Sequence, residues 1–209
     1  MKMKLALAFS LLTASLAFGL TAESAGAPPS DVDPAIVGAL QKDGIRVKDG
    51  DKVLMELWFR SSMPKGTPNG QPNVTLAETP HGALLGVVRF PQRGQDRRGQ
   101  TVKAGTYTLR FSYFPENGDH QGAAPQRDFL VLSPAADDKD LNAMPAFDPL
   151  MDMSRKASGT PHPVALSMWR QDAVAFKAGV APEGEADQVL QTKIGDQAIS
   201  VVVAGVFNH

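Results

Sequence analysis

The chain contains no cysteine, and that absence removes a large share of the chemistry open to a protein. No disulfide staples the fold, so stability has to come from buried apolar surface. Thiolate zinc sites, blue-copper centres and cysteine nucleophiles are excluded, as is a lipid anchor attached through an N-terminal cysteine. Neither sign of charge is in excess: 21 basic side chains face 22 acidic ones, for a net charge of -1. Such a balance gives no whole-molecule attraction to nucleic acid or to an anionic membrane. Reaction signatures are missing too. There is no H-E-x-x-H, no His-x-His pair and no G-x-S-x-G elbow, and the few histidines, four in all, are scattered.

What the sequence does have begins with a leader. Lys2 and Lys4 precede the apolar run "LALAFSLLTASLAFGL", Leu5 to Leu20, and small residues follow in "TAESAGA". A charged start, an apolar middle and a small-residue exit are the parts of a secretory signal peptide. The run is shorter than the ~20 residues that span a bilayer, and no second such stretch follows, so the mature chain is expected to carry no transmembrane anchor and to be exported, periplasmic or secreted. The small-residue rule places the cut between Ala22 and Ala27, and a cut after Ser24 puts Ala22 and Ser24 at the two small positions. The expected organisation is a leader over 1–24, an N-terminal segment with a short helix over 25–43, and one β domain over 44–209.

Within the mature chain the hydrophobic period is two. "DPAIVGALQKDG" offers one short helix, with Asp33 as N-cap and Pro34 at the first helical position. "GIRVKDGDKVLMELWFR" reads as a hairpin about Asp49-Gly50 whose second strand turns Val53, Met55, Leu57 and Phe59 to the core. "ALLGVVRF" and "GTYTLRFSYF" form a strand pair. "RDFLVLSP" is an apolar run suited to a strand covered on both faces. A second short helix is expected over 149–157, capped by Asp148 and stopped by Gly159. "VALSMWR", "DAVAFK", "QVLQTKI" and "AISVVVAGVF" complete an all-β antiparallel sandwich of about eight or nine strands with long loops and one or two short helices. The Pro-, Gly- and Asn-rich connection 61–82 is long for a compact domain, which marks it as either functional or mobile.

The stretch "AGTYTLR", followed by "P", "GDH", "G" and "RDFL", resembles a group of secreted bacterial proteins of unknown function, and "SGTPHPVALSM" extends the likeness. "AGTYTL" by itself resembles a strand opening of transthyretin-like extracellular β-sandwich modules. Both resemblances imply a secreted β fold, and neither implies a reaction.

Candidate sites follow from strand connectivity. If 83–90 and 105–114 pair antiparallel, then His81, Asp119 and His120 lie at one end of the sheet. Imidazole beside carboxylate is a first shell for a divalent metal such as zinc or copper(II), or a base with its orienting partner; "NGDHQG" is also what a turn requires. His162, held between two prolines, joins that cluster as a ligand-binding residue if the connection before it crosses the sandwich. Ser158, Thr160 or Ser112 with one of these histidines and an Asp completes only an inventory for hydrolysis. Asp138, Asp140 and Asn142 alternate as oxygen ligands do at the start of a calcium loop, but Ala143 and Pro149 break the EF-hand pattern. Arg89, Arg93, Arg97, Arg98 and Lys103 crowd one hairpin and suit phosphate, an acidic glycan or an acidic partner. The expectation is a non-enzymatic exported protein whose loops bind a small molecule, a glycan or an envelope protein, with no nucleic acid partner; a metal-dependent hydrolase or metal-handling protein built on the His/Asp loops is the alternative.

Overall fold

The structure, a computed structural model, describes residues 19–114 and 126–205. In chain order the elements are β1 (Thr21–Gly26), α1 (Pro34–Ala39), β2 (Gly44–Asp49), β3 (Lys52–Phe59), β4 (Leu84–Phe90), β5 (Gly94–Gln95), β6 (Thr101–Val102), β7 (Gly105–Tyr113), β8 (Asp128–Pro134), α2 (Phe147–Ser158), β9 (Ala165–Arg170), β10 (Gly179–Glu183), β11 (Asp187–Ile194) and β12 (Gln197–Ala204). The all-β antiparallel class with few short helices is present as expected. Ten of the strands form one continuous sheet in the order β1-β2-β3-β4-β7-β8-β9-β12-β11-β10, and β5 and β6 make a separate small ribbon. The sheet curls until β1 and β10 touch. Its two halves face each other as the layers of a sandwich do.

The space between the halves is filled by the inward residues of eight strands, among them Val47, Leu57, Phe59, Val88, Leu109, Phe111, Leu132, Met168, Leu190 and Val201. The alternation that marks β7 in the sequence is what puts Tyr107, Leu109 and Phe111 here, and the Tyr107 hydroxyl closes its corner by donating to the Lys103 carbonyl at 2.8 Å. The outer faces of the middle strands are covered as well. Helix α1 packs Ile36 and Leu40 against Trp58, Leu84 and Val87. Its start is as expected: Pro34 opens the helix and the Asp33 side chain accepts from Ala35 N at 2.9 Å. Helix α2 sets Leu150 and Met151 against Phe129, Val131 and Ala165. Burial on both sides explains why β4 and β8 read as nearly unbroken apolar runs.

Two details of α2 differ from expectation. The helix starts at Phe147, and its N-cap Ala146 provides no side-chain bond, while Gly159 ends it in the left-handed region (φ 71°). "DAVAFK" is a turn, and the strand in that region is β10, which contains Pro182 and lies at the outer edge of the sheet where a missing N–H costs nothing. No helix among the described residues is long and apolar enough to cross a membrane.

Candidate functional site

The antiparallel ladder sorts the loops into two ends. One end collects the connections 60–83 and 171–178, the β11–β12 turn, the end of β7 and the start of β8; the other collects 91–104, 135–164 and the β10–β11 turn. His81 lies at the first end and His162 at the second. His162 is exposed, and the chain around it is fixed locally: Ser158 Oγ donates to the His162 carbonyl at 2.7 Å and Arg98 Nη2 donates to that of Pro163 at 2.9 Å. The connection before His162 reaches the His81 end at Pro145 and Phe147 but returns along α2, so His162 itself does not join a cluster with His81. Asp119 and His120 lie outside the described residues.

His81 is half-buried beside β7. Its Nε2 shares a 3.0 Å hydrogen bond with Ser112 Oγ, its ring also bonds the Pro145 carbonyl, and it meets Tyr113 edge-on and Phe147 at 6.1 Å. Burial lowers its pKa, which the Pro145 bond partly offsets. A metal at Nε2 has to displace Ser112. Among the described residues no three His, Asp or Glu side chains converge as a metal site. Ser112 is fully buried, so the Ser–His pair holds the 81–82 corner to β7 without presenting a nucleophile to solvent.

Most of the carboxylates and arginines singled out in the sequence are committed to the fold. Asp138 does not begin a calcium loop; it grips the fully buried Arg110 through both oxygens, at 2.6 and 2.7 Å, and accepts from Thr108 Oγ1 at 2.5 Å. In the basic hairpin, Arg97 Nε binds Asp187 at 2.8 Å, Arg98 Nη2 binds Asp96 at 2.9 Å and Arg89 Nε binds Glu56 at 2.9 Å. The positive field that the sequence suggested for an acidic partner is thus reduced, although Arg93 and Lys103 make no ion pair among the described residues. Trp58 is buried, and its Nε1 donates to the Gly26 carbonyl at 2.8 Å.

The long connection 61–82 is where unassigned space remains. Val74 and Leu76 dip into the core from it, and the Asp128 carboxylate fastens it to β8, accepting from Thr75 N, Thr75 Oγ1 and Leu76 N at 2.8, 3.0 and 3.1 Å. Thr75 Oγ1 in turn accepts from Arg170 N at 2.8 Å. Burial pushes the Asp128 carboxyl above the usual range, against the pull of these bonds. The segment therefore plugs the mouth of the sheet rather than waving above it.

Above this plug lies a groove of about 710 Å³ between 61–65, 75–79 and the β11–β12 turn. Gly195, at positive φ (58°), brings that turn close: a Cβ there would sit 3.3 Å from the Ser61 carbonyl oxygen. The floor is Leu76 and Ile194. The rim carries Lys65 and Arg170 as cations and Glu78 and Asp196 as anions, all exposed. None of the four forms an ion pair with another described residue, whereas Glu56, Asp96, Asp138 and Asp187 all do. Two shallower depressions, of about 410 and 510 Å³, adjoin it through Asp196, Arg170, Ser61 and Gly195. Sequence reasoning pointed to this end of the sheet but not to these residues, which come from four separate segments with no shared local pattern. Comparison of the chain with protein-family models, with curated proteins and with solved structures returns no match.

Proposed function

We propose that the protein is exported and non-enzymatic, and that it binds a small polar ligand bearing both an ammonium and a carboxylate group in the groove over the 61–82 plug. The observation that supports this reading is the rim: Lys65, Arg170, Glu78 and Asp196 surround a concave space of ligand size, and none of them is used in an ion pair within the described residues. Two cations and two anions left open in one groove suit a zwitterion better than a simple anion. Exposed single charges contribute little affinity each, so selectivity comes from the arrangement of the four. The anchoring of Thr75 and Leu76 to Asp128 keeps the groove preformed, which limits the ordering cost of binding.

The test is calorimetric titration of the mature protein with a short unblocked peptide, the same peptide acetylated and amidated, and a neutral oligosaccharide. Saturable binding of the unblocked peptide alone, weakened about 10-fold or more by Lys65→Ala combined with Arg170→Ala, is the expected result. Equal binding of blocked and unblocked peptides, binding indifferent to the double substitution, or turnover of any probe refutes the reading.

A further inference from the structure

Strand β1 is built from residues that the small-residue rule, applied at Ser24, would discard. In the fold they are thoroughly used. Thr21 to Ser24 pair in step with β2 from Thr21↔Lys48 to Ser24↔Ile45, and past an irregularity at Ala25 the pairing resumes at Gly26↔Gly44. The Glu23 carboxylate meets Arg46 at 3.3 Å and Lys48 at 3.7 Å. Ser24 Oγ and Gly26 N both donate to Asp43 Oδ1, at 2.7 and 2.8 Å. The Gly26 carbonyl is the acceptor for buried Trp58, Ala25 packs against the α1 cluster, and Leu20 packs against the main core. β1 is also the strand that comes round to touch β10. A chain starting at Ala25 would lose Leu20, Glu23 and Ser24 and most of this register. It would leave the β2 edge open as a template for unwanted pairing.

The leader itself reads better with an earlier cut. Sixteen apolar-run residues, Leu5 to Leu20, exceed the 7–15 typical of a signal-peptide core; ending the core at Leu16 brings it within that range. Two bonds then satisfy the small-residue rule. Gly19–Leu20 has Gly19 and Ala17 at the small positions, and Ala17–Phe18 has Ala17 and Ser15.

Resting on the exported reading above, we propose that the leader is removed at one of these two bonds, ahead of β1, so that Thr21–Gly26 remains in the mature protein as a strand of the sheet. This replaces the cut after Ser24.

The experiment expresses the full chain with its own leader in a Gram-negative secretion host and determines the N-terminus of the exported product by intact mass and N-terminal sequencing. A first residue of Phe18 or Leu20 is expected; any other first residue overturns the site. Ala17→Leu fills a small position of both bonds, so the precursor should accumulate, while Ser24→Leu should be processed as the wild type is. The reverse pattern overturns the proposal. An uncut chain retained in the cytoplasm overturns the exported reading itself, which distinguishes that failure from a mere error of position. Independently, the purified chain Ala25–His209 should melt at least about 5 °C below Leu20–His209. Equal midpoints would show that β1 is dispensable and would count against its retention.

Discussion

Replacing Arg110 by methionine, which keeps much of the side chain's volume and removes its charge, tests a buried side chain whose donors are all bonded. Arg110 is fully buried, and all five of its N–H donors are engaged: Nε and Nη2 with Asp138, Nη2 also with the Asp140 carbonyl at 2.7 Å, and Nη1 with the carbonyls of Gly82 at 2.7 Å and Ala143 at 2.5 Å. Arg110→Met leaves Asp138 buried with only the Thr108 hydroxyl as partner, and three carbonyls without their donor. Breaking a buried pair from one side costs about 3–5 kcal/mol, and the orphaned carbonyls push the cost toward the upper end of that range. In urea, with a slope of about 2 kcal/mol per molar, the midpoint should fall by roughly 1.5–2.5 M. Adding Asp138→Leu removes the stranded carboxylate, so the double variant should recover much of the loss and keep only the carbonyl deficit of about 1–3 kcal/mol. A single-variant loss under about 1 kcal/mol, or a double variant less stable than the single, would refute this account of what holds 135–146 to the sheet.

Acid should expose the burial of His81. Its folded pKa lies below the ordinary 6.5, so between that lowered value and 6.5 the unfolded chain binds more protons; stability is full above 6.5 and is lost as pH falls toward the folded value. The wild-type melting temperature should therefore drop more steeply from about pH 7.5 to about pH 5 than that of His81→Gln, and parallel curves would rule the effect out. Asp128→Asn removes one acceptor from the clamp on the plug and should cost about 1–3 kcal/mol; hydrogen exchange at Thr75 and Leu76 should quicken, and unchanged protection there would argue that the clamp is incidental. Gly86→Ala places a Cβ 2.6 Å from the Trp58 carbonyl oxygen and 3.2 Å from Phe59 Cα. Since both neighbours are backbone, chemical denaturation should show a loss of about 1–3 kcal/mol, and a neutral result would mean β3 and β4 separate easily.

The strands that could be read from the sequence are those whose two faces differ or whose ends are marked. β3 and β7 alternate cleanly, and Asp49-Gly50 fixes the β2–β3 turn. β1 and β10 escaped notice for different reasons. β1 follows directly on an apolar run that reads as leader and lies within the expected leader segment 1–24, and β10 carries Pro182 and few apolar residues because an edge needs neither donors nor two buried faces. The polar side of β7 held a signal that alternation alone hides: Arg110 lies on the face opposite the core, yet that face is covered too, so an arginine there must find an anion, and Asp138 in the oxygen-rich "DDKDLN" stretch is that anion. The groove left no such trace. Lys65, Glu78, Arg170 and Asp196 become neighbours only through the order of strands in the sheet, and unpaired charges look the same in sequence as paired ones.

The order of the strands also bears on how the chain can reach this state. β12, the last strand described, is not at an edge; it sits between β9 and β11, and its inward residues Ile199, Val201 and Val203 belong to the main core. Until it arrives, β9 and β11 both present open edges and the core lacks one wall. The seam between β1 and β10 likewise joins segments some 150 residues apart. Contacts so distant in sequence make folding slow and all but prevent a stable partial product during synthesis. On the exported reading proposed above, this topology delays compaction until β12, the last strand described, has emerged from the membrane pore.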